Sequence, residues 1–130
     1  MPIHLHFQED GGVIYKGTGI IEGKDVFTLE EQLYSSDESI KKIQYQIIDL
    51  TEVTDFRITR SEMKTLAYQD NISMKVNPNL RIAIVATEAL TFGMNRIYMA
   101  HIEEEHEDKV KVFKDLLQAK IWITDEIKDL

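Results

Sequence analysis

The chain has 130 residues, 43% of them hydrophobic and 29% charged, which is the make-up of one globular domain covering residues 1–130. A net charge of −8 with no basic stripe excludes a nucleic-acid binder, since phosphate backbones are held by clustered Lys and Arg. The absence of cysteine excludes a disulfide framework and a thiolate metal site, and fits a cytoplasmic location. Residues 1–10 lack the basic and apolar segments of a signal peptide, and no apolar run approaches the roughly 20 residues of a membrane helix, so no stable membrane insertion is expected.

Residues 3–8 alternate, with Ile3, Leu5 and Phe7 on one face and His4, His6 and Gln8 on the other, as in a half-buried strand. Asp10-Gly11-Gly12 is a turn signal, and residues 13–21 resume extended character, so the two runs read as a hairpin. Gly17 and Gly19 inside the second strand predict a bulge. Residues 23–34 place Val26, Leu29 and Leu33 on one helical face, and residues 35–38 break that helix. Residues 43–50 read as a strand covered on both faces and residues 51–58 as a loop.

Thr59-Arg60-Ser61-Glu62 is a capping box that starts a helix, with Met63, Leu66 and Ala67 on its buried face. Asp70 falls where that face should continue, and Asn77-Pro78-Asn79 ends the helix. Residues 80–86 read as a fourth, central strand, and Thr87 as the cap of a helix running to about Glu105. Residues 110–113 form a short strand. Asp115 and Gln118 cap a final helix through Ile123, with Trp122 largely buried on the face of Leu116 and Ala119. The order ββαβαβαβα implies a mixed sheet with helical crossovers, an α/β fold.

Three segments in order resemble the SpoIIAA-like family of STAS (sulfate transporter and anti-sigma factor antagonist) domains. They are IIDLTEVTDF at residues 47–56, LRIAIVATEALTFGMNRIYMA at 80–100 and VKVFKDLLQAKIWI at 110–123. The resemblance implies a four- to five-stranded mixed sheet with helices mainly on one face, and a non-enzymatic regulatory or protein-interaction role in a family of largely unknown function. It also invites comparison with CRAL-TRIO lipid carriers, so an apolar small molecule in an internal cavity is the alternative. The sporulation antagonists of this group carry a phosphorylated serine in an Asp-Ser-Ser-Gly motif. Here the corresponding stretch is Phe56-Arg57-Ile58-Thr59-Arg60-Ser61, so the motif is missing and Thr59 is the nearest match to the modified position.

No Gly-rich phosphate loop and no Gly-x-Ser-x-Gly elbow is present, so no enzyme is expected and no cofactor is implied. His4 and His6 share a strand face but have no third ligand in the sequence. The run His101, Glu103, Glu104, Glu105 and His106 could bind a cation, but His101 and His106 are five apart and fall on different helix faces, so it reads as a solvated helix end or, for His101, a partly buried residue. Asp49 stands at the carboxyl end of a strand, where α/β sheets place functional groups, although its simplest role is to bond loop amides. The expected interaction surface is Asp49, Thr54, Asp55 and Phe56, with Thr59 and Ser61 beside them. The helix after Thr87 carries a stripe of Leu90, Gly93, Met94, Ile97 and Ala100, Gly93 serving close packing. A second stripe, Phe92, Met99 and Ile102, would meet a protein partner or build a homodimer.

Overall fold

A computed structural model of the chain describes residues 2–128. The amino-terminal hairpin forms as expected: β1 (Ile3–Phe7) pairs antiparallel with β2 (Val13–Ile21), Ile3 opposite Gly17 and Phe7 opposite Val13. The turn uses Gly11 at φ +90°, a backbone region that glycine enters freely. Gly12 cannot carry a side chain, because a Cβ there would lie 2.0 Å from the ring of Tyr45.

After β2 come α1 (Gly23–Leu33), a single-turn α2 (Asp37–Lys41) capped by Ser36, and β3 (Tyr45–Phe56). Neither α2 nor the full length of β3 is expected from the sequence. Residues 51–56 are strand rather than loop because the far half of β2 pairs with them, Thr18 opposite Glu52 and Ile21 opposite Phe56. That pairing survives two shifts of register, one at Gly17 and one after Gly19 (φ +67°), so the predicted bulge is present.

Thr59 caps α3 (Arg60–Val76) through the expected box: its Oγ1 accepts the Glu62 N–H at 3.1 Å, and Glu62 Oε1 accepts the Thr59 N–H at 2.9 Å. The Glu62 carboxylate lies over Gly23, where a Cβ would stand only 2.2 Å from it, so the starts of α1 and α3 interlock. β4 (Arg81–Val85) leads to α4 (Ala89–Ala100), a six-residue 3-10 helix (Glu104–Lys109), β5 (Val110–Phe113) and α5 (Leu116–Lys128). The cap of α4 is Glu88 rather than Thr87 and makes no side-chain cap bond, and the helix stops at Ala100, short of Glu105. Asp115 does cap α5, accepting the Gln118 N–H at 2.8 Å, and that helix runs past Ile123.

The sheet order is β1-β2-β3-β4-β5, parallel from β2 onward. The middle strand is therefore β3, with β4 inside the sheet beside it. When each strand docks next to its predecessor through crossovers of one hand, every crossover helix falls on the same face. The core agrees: Leu29 and Leu33 of α1, Met63, Leu66 and Met74 of α3 and Tyr98 of α4 pack in one cluster on Val13, Tyr15, Ile82 and Ile84. Alternate residues point the other way. Tyr45, Ile47, Ala83 and Val85 receive Ala119 and Ile123 of α5, so this helix covers the opposite face. The face of α5 is set by Ala119 and Ile123, and Trp122 is only half-buried, its ring 5.7 Å from that of Phe113. Among the described residues, no helix is long and apolar enough to cross a membrane.

Candidate functional site

β3 extends past the end of β4, and this overhang decides where a partner could sit. Its terminal residues, Thr51 to Phe56, face the first turn of α4, Glu88 to Thr91, across an open groove of about 550 Å³. The groove lies at the carboxyl ends of parallel strands, the usual place for binding in open α/β sheets. Thr54 is exposed, Asp55 is half-buried and bonded by Arg57 Nε at 2.7 Å, and Phe56 is buried and anchors the strand end in the core. Leu90, 64% exposed, projects beside Glu88. Three carboxylates line the groove, Glu52, Asp55 and Glu88, together with three threonines.

Asp49 is not part of this groove. Its register with Val85 and Lys16 puts it on the α5 side of the sheet, 2% exposed and fully engaged. It accepts from Thr51 Oγ1 at 2.7 Å, Thr51 N–H at 3.0 Å and Lys16 Nζ at 2.9 Å. Burial alone would raise its pKa, but the Thr51 bonds and the Lys16 ammonium outweigh it and hold the carboxyl below the usual carboxylate range. Such a carboxylate fixes the strand end and neither gives nor takes a proton near neutrality.

The structure brings Thr54, Asp55 and Phe56 into the groove and leaves Thr59 and Ser61 at the start of α3, Thr59 spent on its cap and both exposed. The second stripe of α4 is not a continuous surface. Ile102 is buried, Met99 is half-buried against the main core, and Phe92 is half-buried beneath the Arg96 and Lys114 cations at 5.6 and 5.2 Å. The face that α4 buries is Thr91, Asn95 and Tyr98 instead, and Gly93 is exposed with nothing within 4 Å of where its Cβ would be. His4, His6 and His101 are exposed.

Two groups of polar residues come together, one around Asp70 and one around His106. Beneath α1, α3 and α4, Asp70 accepts the Tyr34 hydroxyl at 2.9 Å and the Tyr98 hydroxyl, and Tyr34 accepts in turn from Gln46 Nε2 at 2.8 Å. Glu30 of α1 is almost wholly buried, and the charge of Asp70 acts on its titration. Desolvation by burial drives both carboxyls upward, Asp70 to about 6 and Glu30 well above its ordinary value. Since both Asp70 oxygens accept hydroxyl bonds, Glu30 is the member that holds the proton. The adjoining apolar pocket, touched by Val26, Met63 and Leu66, encloses only about 50 Å³. The second group is His106, buried against Asn71 at 3.2 Å beside Glu103 and Glu105. Among known proteins, no family model matches the chain and no curated protein matches its sequence.

Proposed function

We propose that the chain is a non-enzymatic, STAS-type protein-interaction domain that docks a partner protein in the groove between the end of β3 and the start of α4. The observation that carries this reading is the groove itself: an exposed leucine and three carboxylates at the carboxyl edge of a rigid parallel sheet. The likeness of residues 47–56, 80–100 and 110–123 to SpoIIAA-like domains supports it. A partner segment that presents Lys or Arg next to an apolar side chain would match Leu90 and the surrounding acids. No histidine or cysteine lines the groove, and Asp49 beside it is locked in its own bonds, which favours binding over catalysis there. A lipid in an internal cavity is disfavoured, since about 50 Å³ holds a water or two and no acyl chain.

A photo-reactive side chain at Thr54 tests the reading, with Glu31 on the exposed side of α1 as the control position. Irradiation in cells should give an adduct of discrete mass from Thr54, lost when Leu90→Asp is added. No protein adduct from Thr54, or the same adducts from Glu31, would refute it.

A further inference from the structure

The chain after α4 folds back over α3, and one side chain holds it there. Asn71 Nδ2 donates to the His101 carbonyl at 3.0 Å, while its Oδ1 accepts the Glu103 N–H at 3.0 Å and lies 3.2 Å from His106 Nδ1. The two backbone partners fix which way the amide points, because a carbonyl must face the NH2 and an N–H must face the oxygen. Oδ1 only accepts, so the hydrogen of the imidazole sits on Nδ1. In the neutral ring, Nε2 is then a bare lone pair.

His106 is 3% exposed, and its Nε2 has no hydrogen-bond partner among the described residues. It faces Glu105 Oε1 at 4.0 Å. Glu103, Glu105 and His106 each offer a donor atom, all within 4.8 Å of one another. Three Lewis bases thus lie together, and the Lys75 Nζ stands 3.4 Å from Glu103.

We propose that His106 Nε2 and one oxygen each of Glu103 and Glu105 form a binding site for a divalent transition metal, with Asn71 as the outer partner that orients the ring. The nitrogen donor favours zinc-like ions over magnesium or calcium, which prefer oxygen alone. Three protein ligands leave positions open for water or an anionic group. An outer hydrogen bond of the Asn71 type is the usual companion of a metal-bound imidazole. Lys75 competes with the ion for Glu103.

Calorimetric titration of the full chain with Zn2+ alone, at neutral pH in a non-chelating buffer, tests the site. The expected result is one ion per chain, weakened about tenfold or more by Glu105→Gln, a substitution at an exposed residue that leaves the fold intact. Lys75→Gln should tighten binding. The double variant His4→Ala/His6→Ala should leave it unchanged, since those exposed imidazoles on β1 are the obvious adventitious site. Nitrogen NMR of the imidazoles should show His106 as the Nδ1–H form before titration and move its Nε2 signal on adding Zn2+. Absence of binding in zinc excess, equal affinity in Glu105→Gln, or loss of binding in the His4/His6 variant would overturn the proposal.

Discussion

The buried acid pair makes stability fall as pH rises, and Glu30→Gln isolates its contribution. In the unfolded chain both carboxyls titrate near ordinary values. In the fold, Asp70 is raised from 3.8 to about 6 and Glu30 moves further in the same direction. A group whose folded pKa is raised contributes its full stability below the unfolded pKa and loses it as pH climbs through the folded one. At about 1.4 kcal/mol per pH unit, Asp70 alone removes about 2 kcal/mol between pH 4 and pH 7. Glu30 extends the loss to higher pH. Glutamine has the shape of the protonated acid, so Glu30→Gln deletes one titration without opening a cavity. Urea unfolding followed by Trp122 fluorescence from about pH 5.5 to 8.5, clear of the acid range where net charge nears zero, provides the comparison. The variant should be the more stable form at pH 8, and its advantage should shrink steadily toward pH 5.5. Parallel curves, or a variant less stable than wild type at pH 8, would refute the assignment of the buried proton to Glu30.

Other perturbations follow from single contacts. Gly23→Ala should cost about 1 kcal/mol by expelling the Glu62 carboxylate from the α3 cap, and in a Glu62→Ala background the same change should be neutral or stabilising, read from a double-mutant cycle in urea. Gly12→Ala should destabilise by about 1–3 kcal/mol or more, since the Tyr45 ring it would strike is held by β3 and by the bond from its hydroxyl to Asp10 at 3.0 Å; thermal unfolding reports it. Thr59→Ala should lower stability by about 1 kcal/mol and leave the Thr54 adduct unchanged. Loss of that adduct in Thr59→Glu alone would instead point to control by phosphorylation. Trp122→Ala should cost about 1–3 kcal/mol, less than the roughly 3–5 kcal/mol of a fully buried aromatic, and the wild-type emission maximum should lie between those of free and buried indole.

What could be read from the sequence was local. The hairpin turn, the bulge glycines, the Thr59–Glu62 box and the Asp115 cap each consist of residues within a few positions of one another, and each is present. Residues 51–56 were misread because their extended state is imposed by β2, which lies over thirty residues away in sequence. The inward face of α4 was misread because it is polar: Thr91 and Asn95 are buried, Asn95 bonding back to the Thr91 carbonyl, while Leu90 points to solvent. Asp70 did carry a signal, an acid on an apolar face. Glu30 carried a weaker one, its spacing from Val26 and Leu33 placing it on the buried face of α1. The acids and imidazoles of residues 101–106 carried a signal for a cation; α-helical spacing argued against it, but α4 ends at Ala100 and Glu104–Lys109 is a 3-10 helix, not its continuation. Asn71 gave none, since nothing in one helix announces which later imidazole its amide will fix.

The strictly sequential order of the sheet also governs how the chain can be assembled. Each strand from β2 to β5 finds its neighbour in the strand laid down just before it, so no pairing waits for a distant segment to be made. Chains fold progressively from the amino end as they are synthesised, so each strand can dock once its crossover helix has emerged. The exception is α5, which must return from the sheet edge to cover Tyr45, Ile47, Ala83 and Val85. Until α5 (Leu116–Lys128) emerges, the side of the sheet that carries Tyr45, Ile47, Ala83 and Val85 lacks its covering helix. A ribosome-bound chain arrested before Leu116 is therefore the form most in need of a chaperone.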